Sequence, residues 1–474
     1  MSMKPTIHDT FTANEKLDDV VELKHTQSSN STTPHSESDP PDGGFRAWAT
    51  VFGCFLMQFC GCGYISSFGV YQGTQQLYGQ LYPKLTNVLE RLLHANLYDQ
   101  SIAVCNIISE CPFIREFLVS VSVRWIGAMT MFLAIIVALI SGPLYDRGWF
   151  YRLVIVGSLL QSLSLFALSF TKPGQFYFAF IFQGVLAGFG MGPTDAPTMA
   201  IVSHHFSKKR TMVMSLVVSG TSLGTIIHPI MLNHFLNGTV GFARGVRFSA
   251  GFVSALLLIS CLSMRTRELP APTGSYTAVA RKCSREVPFI LMTVGSTLFQ
   301  IRSFFPVFYL QLDSVKHDID INFSFYSLVI MNVACFIGRC TAGVIARYTG
   351  VLNFTIVSAF ACSALIISMI ALSNVAGVVM LGLAYGYFSG VYMALLVPLV
   401  TVLTPDLTEL GMRIGICYTF ISFSGLISGP ISGTLLSSQY RWWIPSLFCG
   451  LISLAGSLMF VIMRFMTYRY TSKE

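Results

Sequence analysis

The sequence predicts an all-α membrane protein: twelve transmembrane helices in two six-helix bundles. Three observations carry this. First, 53% of the 474 residues are hydrophobic and only 11% are charged, whereas soluble chains are roughly a quarter charged. Second, the apolar residues come in blocks. "AMTMFLAIIVALISG" and "SALLLISCL" are apolar on every side, which suits lipid or a bundle interior and not a water-facing helix. Third, the polar stretch "MRTRELPAPTGSYTAVARKCSRE" divides the blocks into two sets of six.

In chain order, residues 1–41 come first. They contain "TQSSNSTTPHSESDPP", too few apolar residues to bury, which predicts a disordered tail. No basic stretch leads into an apolar one, so a signal peptide is not expected. Segments of about 20 apolar residues can cross a bilayer. They fall at roughly 48–71, 122–141, 152–171, 176–200, 211–234, 248–265, 286–310, 323–346, 351–373, 375–402, 412–437 and 442–465. The expected organisation is a tail (1–41), an N-terminal bundle (42–265), a linker (266–285), a C-terminal bundle (286–465) and a short tail (466–474). Within the first bundle, 75–117 forms a long outer loop, either a cover over the outer mouth or an unspliced insertion.

Placing the N-terminal tail in the cytoplasm and alternating the spans puts most lysines and arginines on the inner side, as the positive-inside rule requires. Both termini are then cytoplasmic, in the cell membrane or an internal one such as the vacuolar membrane. The net charge of +8 comes from short basic runs between apolar blocks, so membrane faces explain it and nucleic acid does not. Most of the twelve cysteines lie inside apolar blocks, where they act as small hydrophobes. Cys105 and Cys111 share one loop and are either a pair or two free thiols. The sequence has no repeated Cys-x-x-Cys, nucleophile elbow or phosphate loop, so no metal, cofactor, enzyme activity or ATP-driven pumping is expected. Asn237, in "NGT", is an outer-loop glycosylation sequon.

Several motifs stand at span borders. "GPLYDRG", Gly142 to Gly148, follows span two, and "GRCTAGVIARYTG" occupies the corresponding place after span eight. That echo fits a transporter built from two parallel repeats. Asp42-Gly43-Gly44-Phe45, with Trp48 beyond, precedes span one. Phe206-Ser207-Lys208-Lys209-Arg210 precedes span five, followed by Ser219-Gly220-Thr221-Ser222-Leu223-Gly224.

The "GPLYDRG" turn resembles the loop signature of the major facilitator superfamily. That resemblance implies two bundles around a central cavity and alternating access by rocking. It also implies a gating role for Gly142, Asp146 and Arg147. On the residues alone, Asp146 and Arg147 are equally a turn residue and a positive-inside arginine. The motifs at 42–48 and 206–224 resemble those of the monocarboxylate porter family, in its fungal branch, with Trp48 one residue later than usual. The likeness covers 40–470 apart from one loop. In that family an arginine of span eight holds the substrate carboxylate, and Arg339 matches it. Animal members carry an acid four residues before that arginine and a proton-binding lysine in span one. Here those places hold Cys335 and about Ile65, which argues against lysine-relayed symport.

Pro40 and Pro41 stop a helix entering from the tail. Asp42 is expected to cap span one, Gly43 and Gly44 to permit a close turn, and Phe45 and Trp48 to anchor at headgroup depth. Lys208 and Lys209 are mostly topology; Arg210 is a candidate for drawing anions into the mouth. Gly220 and Gly224 allow close helix approach.

A charge within a span is costly unless paired or wetted, so Asp195, Arg302 and Arg339 are functional candidates. A planar guanidinium suits a carboxylate. Asp195, between Pro193 and Pro197, is either a proton carrier or a cap on backbone freed by a helix break. Arg302 either lines the cavity or snorkels outward. Tyr64 and other intramembrane tyrosines suit a planar acid if they face the cavity. The expected function is secondary transport of a small, monocarboxylate-like organic anion, with protons as a candidate partner. The alternatives are efflux of a secondary metabolite, vitamin import, or a non-transporting sensor.

Overall fold

The computed structural model describes residues 42–65, 126–171, 176–237, 241–266, 276–303, 305–306, 321–371, 375–435 and 443–471. The tail at 1–41, the loop at 75–117 with Cys105 and Cys111, and the sequon residues that follow Asn237 lie outside them.

The helices are α1 (Phe45–Ile65, stepped at Gly61), α2 (Ile126–Asp146), α3 (Phe150–Leu168) and α4 (176–205). They continue with α5 (Arg210–Asn237), α6 (Phe242–Ser263), α7 (Tyr276–Cys283) and α8 (Val287–Gln300). The rest are α9 (Ile321–Thr349), α10 (Val351–Ser368), α11 (Val375–Val402), α12 (Leu410–Leu435) and α13 (Trp443–Thr471). Ten helices among the described residues are long and apolar enough to cross a membrane. The expected fourth and seventh spans differ from these. α4 is made of pieces, and α8 is an apolar helix of 14 residues.

Lipid offers no partner for backbone N–H and C=O groups, so apolar segments satisfy them within each helix. Hydroxyls in these helices turn back on their own chain. Ser215, Thr355 and Thr401 each donate to the carbonyl four residues earlier, which hides the polar atom without breaking the helix.

The interruption in α4 is not where the prolines predict it. Pro193 and Pro197 lie inside a continuous helical run, Ala187–Ala200. The hydroxyls of Thr194 and Thr198 bond the carbonyls of Met191 and Asp195 there, and such local partners let a membrane helix carry proline. The irregular turn is a π-helix at Phe180–Leu186. Its Phe182 and Gln183 carbonyls accept from Ser164 of α3 and Thr130 of α2.

In the first half, α1 packs on α5 and α6, and α3 on α4 and α6. A Cβ at Gly220 would strike the carbonyl of Phe55, and one at Gly224 that of Phe59. The four-residue spacing therefore brings α5 against α1. In the second half, α9 and α10 pack on α11, while α8 and α10 pack on α13. The halves meet along two seams, α2 with α12 and α5 with α9. Each seam joins the second helix of one half to the fifth of the other, as a duplicated architecture requires. α7 lies against α12. The face that gathers Asp42, Asp146, Ser207, Glu286 and Gly411 is called the basal face below.

Candidate functional site

The basal face holds the first contact between halves. Asp146 ends α2, and α12 begins at Leu410, leaving its first amides without helical partners. The Asp146 carboxylate accepts from the amides of Gly411 at 3.0 Å and Met412 at 2.7 Å. Gly142, one turn earlier, lies against the Gly411 backbone so closely that a Cβ would overlap its carbonyl. An anion at a helix N-terminus is favoured by the free N–H groups and the dipole. Arg147, which follows Asp146 in the same motif, is exposed. The turn at Gly148, with φ at +84°, carries the chain out of α2 and leaves Arg147 facing solvent.

The two signature motifs clasp each other. Asp42 does not cap α1, whose first turn begins after Gly44 with no side-chain cap. It accepts instead from the amides of Ser207 at 2.7 Å and Lys208 at 3.0 Å. Two features explain this. Asp42 adopts φ +36° and Gly44 φ +102°, so the chain doubles back across the α4–α5 turn. Gly43 lies between them. Trp48 meets Phe206 edge-on at 5.5 Å. Arg210 donates to the Phe206 carbonyl at 3.2 Å, which places it at the start of α5 within the same clasp.

Deeper in the bundles, Asp195 of α4 and Arg339 of α9 occupy the same level. Each lies about ten residues from its helix's basal end, or roughly 15 Å at the α-helical rise, about half the thickness of a hydrocarbon core. Asp195 Oδ1 accepts from Gln58 Nε2 at 2.8 Å, and Gln58 also donates to Thr198 at 3.2 Å. Arg339 Nη1 donates to the Val218 carbonyl of α5 at 3.0 Å. Its Nε is buried without a hydrogen-bond partner. Cys62 of α1 stands within electrostatic reach of both Asp195 and Arg339, and Tyr418 of α12 within reach of Asp195. Among the described residues neither charge forms an ion pair. An acid from one half and a guanidinium from the other thus flank one polar locus at mid-depth.

Arg302 and Tyr64 lie elsewhere. Arg302 is 1% exposed, so it neither snorkels nor lines an open surface. Its guanidinium lies 3.8 Å over the Phe299 ring and donates to the Tyr385 hydroxyl. Cation–π contacts replace water for this charge inside the second half. Tyr64, 3% exposed, packs edge-on against His228 in the core of the first half. It borders a small crevice with Thr130, Gln183 and Met191. Asn237 is the last residue of α5.

Some participants were not singled out from sequence. Gln58 is a neutral residue in an apolar block and carries no charge signal. Arg413 stands at the start of an apolar block with no motif around it, yet its side chain is fully buried. It forms a two-pronged ion pair with Glu286, at 2.6 and 2.8 Å. Glu409 joins at 3.7 Å and bonds Lys282 of α7 at 3.0 Å. The separation of 127 residues hides the pair from any local reading.

With this geometry in place, likeness to known proteins is informative. The family model described as Major Facilitator Superfamily matches residues 100–395. The agnestins efflux protein AgnL12 of Paecilomyces divaricatus is 31% identical over 90% of this chain and 90% of its own. The aspyridones efflux protein apdF of Emericella nidulans is 27% identical over 89% of this chain and 79% of its own. Among solved structures, the human organic anion transporter MFSD10 (TETRAN) superimposes with a TM-score of 0.63 at 12% identity. That match covers 89% of this chain and 98% of that one, and it shows the fold alone. AgnL12 and apdF carry the names of efflux proteins and not of monocarboxylate porters. From the two-seam helical fold, the family match over most of its length and the 31% identity of a full-length relative, this chain belongs to the Major Facilitator Superfamily.

Proposed function

We propose that this transporter exports an organic anion of secondary metabolism, with Arg339 as the anchor of the anionic group and Asp195 as the proton-exchanging acid. The observation that carries the reading is the placement of Arg339 and Asp195 at one depth, on opposite halves, both within reach of Cys62. A planar guanidinium held, among the described residues, by a single carbonyl, that of Val218, suits a carboxylate or an acidic enol. A carboxylate whose close side-chain donors among the described residues are Gln58 and Cys62 retains capacity for a proton. Export, rather than uptake of a small monocarboxylate, is favoured by the efflux proteins among the full-length relatives. Cys335, and a position at about Ile65, stand where animal porters carry an acid and a lysine, which argues against lysine-relayed symport.

In this reading the basal contact of Asp146 with Gly411 and Met412 is the gate on the loading side. It is closed here, and Gly142 allows the closure. The clasp of Asp42 and Trp48 with the α4–α5 turn holds α5, including Arg210, at the edge of that gate.

The test is transport in reconstituted vesicles, with the parent and Arg339→Ala proteins inserted at equal levels and screened against acidic metabolites of the producing cell. Arg339→Ala is expected to abolish flux of any metabolite the parent moves. Unchanged flux would remove Arg339 from the site.

A further inference from the structure

The α5–α9 seam is a polar ladder. Running from the basal side, Arg339 Nη1 donates to the Val218 carbonyl at 3.0 Å, Ser222 donates to Cys335 Sγ at 3.3 Å, and Thr225 donates to Asn332 at 3.2 Å. Each rung joins one half of the molecule to the other. The α2–α12 seam differs. Beyond the basal contact of Asp146 with the Gly411 and Met412 amides, it carries backbone packing at Gly142, Gly411 and Gly415 and an aromatic pair, Phe132 and Phe423, at 5.6 Å. Among the described residues, Arg339 is thus the charged rung that joins the halves at mid-depth.

The guanidinium in this position is already in use. The Nε edge is buried, so the end of the fork, Nη1 with Nη2, is the edge a carboxylate can reach two-pronged. Nη1 is committed to Val218. The Val218 carbonyl also accepts the Thr221 hydroxyl at 2.8 Å, so it loses little when the guanidinium leaves. We propose that Arg339 is a two-position clasp. It holds the α5–α9 seam through Val218 when the site is empty, and it surrenders that bond to the anionic group of the substrate, which loosens the seam and licenses the halves to part. Ser222, Cys335, Thr225 and Asn332 are positioning residues in this scheme, since they meet each other and not the substrate. The proposal rests on Arg339 being the substrate's anchor.

The native Cys335 supplies the test. Ser222→Cys places a second thiol opposite it, at a site where the present atoms are 3.3 Å apart, and a disulfide needs such proximity. The full-length chain carries a protease site within 267–275, so that oxidised halves stay joined on a gel after cleavage. Ser222→Cys with Cys335→Ser is the control that must not join. In the Ser222→Cys protein, adding Arg339→Gln is expected to slow joining about tenfold, the worth of one charge-assisted hydrogen bond. The probe anion 2-naphthoate is expected to slow it at least fivefold, and its neutral amide not at all. Equal rates with and without Arg339→Gln overturn the clasp, and equal rates with acid and amide overturn the displacement. If 2-naphthoate slows joining as strongly in the Arg339→Gln protein, the anchor lies at another residue. The assignment of Arg339 then fails, while the tenfold effect on the seam stands by itself.

Discussion

Asp146→Ala removes one carboxylate and leaves two amides, those of Gly411 and Met412, at the start of α12. In the structure they are held at 3.0 and 2.7 Å. Hydrogen bonds to a charged group contribute about 1.5–3 kcal/mol each. Asp146 is only half-buried and water can replace it, so the lower half of that range applies. The pair then stabilises the closed basal contact by about 3–4.5 kcal/mol. At 1.4 kcal/mol per tenfold, the closed population relative to the open one falls by roughly 140- to 1,600-fold. Hydrogen exchange read by mass spectrometry on peptides spanning 407–415 measures this directly. The amides of Gly411 and Met412 should exchange faster by about that factor, while the C-terminal half of α12 does not change. Asp146→Asn keeps one oxygen acceptor and should fall between the parent and Asp146→Ala. Exchange in Asp146→Ala equal to that of the parent would refute the argument that this carboxylate closes the face.

Gly411→Val places a side chain against the Asp146 carboxylate and the Gly142 carbonyl; overpacking of this kind costs about 1–3 kcal/mol and should stop transport while the protein still inserts, as vesicle flux and membrane yield will tell. Arg413→Ala strands Glu286 and Glu409 beside α7. Breaking a buried pair costs about 3–5 kcal/mol, and because the Glu286 side chain is 29% exposed the low end applies, visible as a fall in the thermal midpoint. Asp195→Asn should abolish the dependence of flux on pH while keeping the hydrogen bond to Gln58; an unaltered pH profile of vesicle flux counts against the proton role.

Much of the fold was legible because hydrocarbon acts on composition. Segments such as 351–373 and 442–465 need no tertiary information to be recognised as membrane helices, since only a helix hides their backbone from lipid. The short α8 and the π-helix in α4 were less legible. A local change of hydrogen-bond register, held by Thr130 and Ser164 from neighbouring helices, has no signature in a window of apolar residues. The motifs at 42–48 and 206–210 were each visible, but nothing in either stretch said that one would bond the other. Asp42 followed the rule for a helix cap and yet served a different helix, because three-dimensional proximity offered two free amides of the α4–α5 turn. Arg302 and Arg339 carry the same charge in similar apolar surroundings, so sequence ranked them together. Only packing separates a guanidinium stacked on Phe299 inside one half from one that reaches across to Val218 of the other.

Taken alone, the order of residues determined the solvent of this protein, the number and length of its apolar segments and the duplicated plan, because these depend on how each stretch partitions between lipid and water. Tertiary structure decided which charges face one another. Asp146 found α12, Glu286 found Arg413 and Asp195 came level with Arg339 only through the crossing of helices far apart in the chain. A side chain's direction on a helix is set by its neighbours' packing, which no single stretch contains.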